Sequence, residues 1–450
     1  MLKGYVDSIS PGKLSLTGWV QVGEGGEVPD LWLDLDGERA GLAAFGAERA
    51  DVLSALGLAN RSFTLTLETP LQSQNLLAKA HQVVAVADGV RSFIPLGGHA
   101  YHQLMADFVR VAAATVSGTR EAILEALDVK EQSLSKHFEE VRKSSEAGEL
   151  SYLGFPVGLR SSDDIGQIGR DGHLFLTGGS NALRDQYSEP KDAAAEALLE
   201  KRAGMWAAAI RANSQSLDEL GIPFLQVVIP EKLTALRHIA PLAINGPTPL
   251  YRRLDELMAN ESNYLSFLNM FENWSGDIGA WQRNDTHCSP AGSLAMTREL
   301  LDRLPGCDPS ILDEVELTGT VYRNGDLAPK FFDIPLWDMQ HIPAPGTLGD
   351  PEIELAFSYT PGNFVGSHNI WTNASAPIKK KVVVFGNSFF GAVHSPTRLS
   401  WWFSRLFSEY HMKWENTVDM DYVKDVRPDY VIAQSIERFL VRPPAMPNAN

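Results

Sequence analysis

The period of the apolar positions changes twice along the chain, and each change marks a different kind of structure. From Met1 to about Gly98 the segments are short and alternate: Leu14–Val20, Leu31–Gly37, Ser62–Leu67 and Gln82–Gly89. Period-two alternation broken by Asp-Gly pairs predicts antiparallel strands and, over residues 1–98, a small β-sandwich. Between Ala100 and Leu150 the spacing becomes helical, with Leu104, Phe108 and Val111 on one face, which predicts a helical connector over 99–150. From Tyr152 strands and helices alternate. Helices are expected at about 192–220, 249–260, 291–304 and 397–410, and strands at 224–230, 353–359, 379–385 and 430–434. That order predicts an α/β domain with a mostly parallel sheet over 151–450.

Charge and composition narrow the function classes. A net charge of −17 argues against nucleic acid as a partner, because phosphate-backbone binders gather Lys and Arg on one face. The N-terminus has no apolar core of a signal peptide, and no run approaches the roughly 18 consecutive apolar residues of a membrane helix. The sequence as it stands predicts a cytoplasmic chain without membrane insertion. Two cysteines, Cys288 and Cys307, supply neither a disulfide framework nor a zinc pattern.

The run Val382-Val383-Val384-Phe385-Gly386-Asn387-Ser388-Phe389 reads as a buried parallel strand ending in a turn. Sites in open α/β sheets lie at the carboxyl ends of strands, so Ser388 is placed to act as a nucleophile. Gly386, Asn387 and Phe389 are the turn and oxyanion candidates, a well-placed donor being worth roughly 3 kcal/mol. The plainer reading is that Ser388 caps a helix. Upstream, Asp285-Thr286-His287 sets a carboxylate and an imidazole two residues apart, on one side of an extended backbone. Asp285 would fix the tautomer of His287, which would take the Ser388 proton.

Competing readings attach to neighbouring residues. Cys288 is an alternative nucleophile and His394 an alternative base. An Asp-x-His pair can also hold a metal, but no further His or carboxylate cluster in the sequence accompanies this one. No P-loop or dinucleotide fingerprint occurs, so no cofactor is expected beyond an acyl donor. Trp19 and Trp32 are either sugar-stacking platforms or sandwich core. His173, Arg323, Asp326, Glu437 and Arg438 read as packing, turn or ion-pair residues, with Arg323 and Asp326 able to reach substrate from a loop near the site.

Residues 151–440 resemble the SGNH-hydrolase-like domain of the alginate O-acetyltransferase family. The resemblance rests on ordered marks: Gly169-Arg170-Asp171-Gly172-His173-Leu174-Phe175, Val228-Ile229-Pro230-Glu231-Lys232, Asp285-Thr286-His287, Gly325-Asp326-Leu327, Phe385-Gly386-Asn387-Ser388-Phe389, and Arg427-Pro428-Asp429-Tyr430 leading to Glu437-Arg438. It implies a three-layer α/β fold, with Ser388 as nucleophile, His287 as base and Asp285 as its orienter. The implied reaction is acetyl transfer through an acetyl-serine to a carbohydrate, and the implied setting leaves room for contacts with polysaccharide assembly proteins. Three departures stand out: Asn387 where many SGNH enzymes carry aspartate, no recognisable block for a second glycine and an asparagine of the oxyanion hole, and no export signal. An acetyl esterase with the same triad, or an idle glycan-binding scaffold, fits the same residues.

Overall fold

A computed structural model describes residues 2–67, 82–100, 103 and 157–444, with breaks at 11–14, 24, 36–37, 95, 98, 162, 180, 332–336, 345, 349–351, 363 and 392–394. The alternating N-terminal segments form β1 (Gly4–Ser10), β2 (Ser15–Gln21), β3 (Asp30–Leu35), β4 (Glu38–Ala40), β5 (Leu42–Phe45), β6 (Asn60–Thr66), β7 (Gln82–Ala87) and β8 (Val90–Ile94). They make two four-stranded antiparallel sheets, ordered β1-β2-β6-β5 and β4-β3-β7-β8. Asp88 and Gly89 both take positive φ, 50° and 73°, the geometry that lets a two-residue turn follow the twist of its strands. Trp19 is core at 4% exposure. Trp32 is half-buried, with the Arg39 guanidinium 4.6 Å from its ring centre. Apart from 99, 100 and 103, the predicted connector 99–150 lies outside the described residues.

The C-terminal strands are β9 (Gly166–Ile168), β10 (Leu174–Leu176), β11 (Phe224–Ile229), β12 (Tyr264–Ser266), β13 (Gly319–Asn324), β14 (Trp337–Ile342), β15 (Ile353–Tyr359), β16 (His368–Asn373), β17 (Ile378–Gly386), β18 (Phe407–Trp414) and β19 (Tyr430–Ile436). Seven of them form a mixed sheet in the order β12-β11-β19-β17-β18-β16-β15. Pairing is parallel from β12 through β18 and antiparallel at β18-β16 and β16-β15.

β17 sits mid-sheet because its two faces are both apolar. Val382 and Val384 enter one core with Val227, Ile432, Met296 and Trp402. Val383 and Phe385 enter another with Val228, Val431, Trp206 and Leu254. Each such side chain contributes about 1.5–3 kcal/mol on burial, so the end of β17 that leads into Ser388 is firmly anchored.

The flanking helices begin and end where their chemistry dictates. Helix Ala193–Asp218 starts at the Asp192 side chain, which accepts the Ala195 N–H. Helix Pro249–Met258 starts at Thr248 and helix Pro290–Arg303 at Ser289, each followed by proline at the first helical position.

One expected helix is shorter than its pattern suggests. The predicted span 397–410 holds a helix only at Leu399–Leu406, and the chain then turns directly into β18. Phe407, Tyr410 and Met412 gain a place in the sheet core by becoming strand, which outweighs the helical periodicity of the first eight residues. Among the described residues no helix is long and apolar enough to cross a membrane.

Candidate functional site

Ser388 emerges from the carboxyl end of β17 in a tight turn. The Asn387 carbonyl accepts the Phe390 N–H at 3.0 Å and the Gly391 N–H at 3.2 Å, while Asn387 Oδ1 accepts the Phe389 N–H at 3.2 Å. The Asn387 side chain therefore shapes the turn. The Asn387 N–H itself donates to Gln434 Oε1 at 3.1 Å, across from the neighbouring β19. Gly386 leaves room for this contact, since a Cβ there would come within 3.0 Å of the same oxygen. Ser388 is half-buried and its neighbours are buried, so the hydroxyl is the accessible point of the turn.

Asp285 and His287 sit at the tip of a loop closed by pairing of Trp281 with Cys288 and by Ser289, whose N–H donates to Ala280 O at 2.8 Å. The backbone here is bent rather than extended as the spacing suggests. The two side chains meet through an Asx turn, with the His287 N–H donating to Asp285 Oδ1 at 2.8 Å. The same oxygen lies 2.6 Å from His287 Nδ1, and His287 Nε2 lies 2.8 Å from Ser388 Oγ.

Electrostatics fix the direction of these bonds. Burial pushes the pKa of Asp285 up, but the adjoining His287 and its hydrogen bonds, with Arg398 behind them, hold it well below the usual carboxylate range. An ionised Asp285 only accepts, so Nδ1 carries the ring proton and Nε2 presents its lone pair to the Ser388 hydroxyl. Burial pushes the His287 pKa below its ordinary value, Arg398 adds to this, and Asp285 opposes it. The imidazole is thus neutral and basic at pH 7. The Phe389 ring packs 4.9 Å from the His287 ring, centre to centre.

A second acid joins from the loop after β13. Asp326 Oδ1 accepts the Thr286 N–H at 2.8 Å, and Oδ2 accepts the Thr286 hydroxyl at 2.5 Å. In return the Asp326 N–H donates to Asp285 Oδ2 at 3.1 Å. Gly325 permits this approach, because a Cβ there would stand 2.1 Å from the Asn284 carbonyl oxygen. Ligand atoms of Asp285, His287 and Asp326 lie within 4.8 Å of one another, close enough to share a cation. Both Asp285 oxygens already accept N–H groups, and the two His287 nitrogens face Asp285 and Ser388. The donor set is committed to hydrogen bonds.

No protein-family model matches the chain, and no curated protein matches it either. Solved structures give weak likenesses. The O-acetyltransferase domain of Pseudomonas putida AlgJ is 16% identical, covering 62% of this chain and 92% of its own, with a TM-score of 0.38. Bacillus cereus PatB1, solved with a sulfonyl adduct, is 12% identical over 55% and 91%, with a TM-score of 0.41. A DHHW family protein from Eubacterium siraeum is 13% identical over 64% and 95%, with a TM-score of 0.39.

The remaining candidates separate clearly. Cys288 is fully buried, and burial pushes its thiol well above the ordinary value, which disfavours a thiolate. His394 lies outside the described residues. His173 is half-buried beside Phe175, and burial, with Lys232 nearby, pushes its pKa well down. Glu437 accepts the N–H groups of Glu231 and Thr248 and the Thr234 hydroxyl, and burial raises its pKa to about 7. Arg438 pairs with Glu231 at 2.7 Å. These two residues anchor the strand ends rather than reach the site.

Two arginines lie near the site: Arg323, which the sequence reading places on a loop able to reach substrate, and Arg398, which it does not single out. Arg398, at the start of helix Leu399–Leu406, leaves Nη1 buried and unpartnered among the described residues, as Arg323 leaves Nε. Their charges repel, and Arg323 is pushed below its ordinary value by burial and then by Arg398. A cation ten residues after a serine carries no local pattern that sequence reading could use.

Proposed function

We propose that the protein is a serine-dependent carbohydrate O-acetyltransferase that works through an acetyl-serine. The observation that carries this reading is the chain Asp285 Oδ1, His287 Nδ1, His287 Nε2, Ser388 Oγ, with contacts of 2.6 and 2.8 Å. Both lie within hydrogen-bond reach for proton transfer. Ser388 Oγ attacks the acetyl carbonyl carbon as His287 Nε2 takes its proton, and Asp285 stabilises the resulting imidazolium. Collapse expels the donor's leaving oxygen, which receives that proton. A sugar hydroxyl then gives its proton to His287, attacks the acetyl-serine and restores Ser388.

Donors to the oxyanion are the Ser388 N–H and the Asn387 Nδ2–H, neither of which is engaged among the described residues. The acceptor class follows from the ordered motifs, which resemble an alginate O-acetyltransferase domain of SGNH-like three-layer type. Water in place of the sugar hydroxyl makes the same acyl-enzyme an esterase.

The test is intact-mass spectrometry of the wild type and Ser388→Ala after brief exposure to a chromogenic acetyl ester, with product release followed in parallel. An acetyl adduct or burst confined to the wild type supports the reading, and adding sugar acceptors then separates transfer from hydrolysis. Neither signal in either protein would leave a glycan-binding scaffold.

A further inference from the structure

The motif Val228-Ile229-Pro230-Glu231-Lys232 is not used in the reaction just described, yet its last residue touches the loop that carries the base. Lys232 is 3% exposed. Its Nζ donates to four backbone carbonyls: Leu174 at 2.8 Å, Gln282 at 2.5 Å, Arg283 at 2.8 Å and Asp285 at 3.1 Å. The Phe175 ring centre lies 5.2 Å from the same nitrogen.

Three of those carbonyls belong to the loop that ends in Asp285 and His287, and the fourth to β10. From the geometry we infer that Lys232 is a positioning residue, whose ammonium gathers the Gln282–Asp285 carbonyls and so sets the reach of His287 toward Ser388. An ammonium has three N–H groups, so the four converging carbonyls are held with one N–H shared between two of them. Lys232 is itself fixed, because the preceding Glu231 donates its N–H to Glu437 and pairs through its side chain with Arg438.

Packing alone does not account for this residue. Burial pushes Lys232 down to about 7, although Asp285, Asp338 and Asp326 pull the other way and Arg283 pushes with it. A buried charge without a contacting carboxylate is costly, and an apolar side chain of similar volume fills such a space without that cost. What an apolar replacement cannot do is satisfy the carbonyls.

The inference rests on the proposed function, and its test separates the two. Ser388 is labelled with a sulfonyl fluoride in the wild type, Lys232→Met and Lys232→Gln, reading the maximal rate and the half-saturating concentration separately. A displaced base lowers the maximal rate by about 100-fold, the scale of a 1 Å misplacement, with half-saturation within about threefold. A wild type that fails to label refutes the serine reading.

A second readout needs no turnover. The downfield Nδ1–H resonance of His287 is expected in the wild type and in Ser388→Ala, and is expected to vanish in Lys232→Met. Folded Lys232 variants that keep both the resonance and the wild-type rate overturn the inference. So does loss of cooperative melting in both variants, which would make Lys232 a residue of the core.

Discussion

Replacing Asp285 by asparagine tests the electrostatic logic of the site more sharply than deleting it. Asp285 Oδ1 accepts two N–H groups of His287, and Oδ2 accepts the Asp326 N–H. An amide has one acceptor end, so either orientation sets an NH₂ against an N–H. With the NH₂ toward His287, Nδ1 must accept, the ring proton moves to Nε2, and Ser388 loses its base. With the NH₂ toward Asp326, the interlocked loops are pushed apart at the 3.1 Å contact. A positioned base is worth roughly 10²- to 10⁴-fold, about 3 to 5 kcal/mol of barrier. The assay is the pre-steady-state burst with a chromogenic acetyl ester, alongside thermal melting. Asp285→Asn is expected to lose at least about 100-fold in burst rate while still melting cooperatively. A folded variant that acylates at the wild-type rate would refute the reasoning.

Four further outcomes follow from the same contacts. The lowered pKa of His287 means that activity is present above that pKa and is lost as pH falls through it, so the acid limb of kcat/KM should lie below pH ~6.5. Arg398→Met removes a charge that repels the imidazolium, which should move that limb to higher pH in the same titration. Gly325→Ala forces a Cβ to within 2.1 Å of Asn284 O and should cost about 1–3 kcal/mol in denaturant melts. Iodoacetamide should leave the burst intact, because Cys288 is buried with its thiol held protonated; rapid inactivation traced to Cys288 would contradict this.

The parts of the fold that were legible in sequence are those whose signal is local. The β-branched run of β17, the cap and proline pairs at Thr248-Pro249 and Ser289-Pro290, and the long helix after Asp192 each carry their own physical cause. The strand after Leu406 was hidden because Trp401 to Tyr410 fits a helical period as well as an alternating one, and only the vacancy beside β17 decides between them. The reversal to antiparallel pairing at β16 has no local cause at all.

The same divide runs through the candidate site. Asp285, His287 and Ser388 stood out by residue type and spacing. Asp326 read as a turn residue, because its contact with Thr286 closes over 40 positions. Lys232 read only as part of a motif, since its four acceptors lie 50 or more residues away along the chain.

The partners of the hydrogen bond between His287 and Ser388 are 101 positions apart and are held by unlike means. Ser388 follows a strand whose last five residues are all buried, whereas His287 rides on a loop tied down largely by polar contacts, those to Asp326 and Lys232 among them. Local opening takes the lower-cost route, so on warming the imidazole departs while the sheet persists. If Ser388 and His287 act as proposed, heat inactivation is then expected to precede melting and to reverse on cooling: acylation of Ser388 would fade at temperatures where the tryptophan signal of the core is still native.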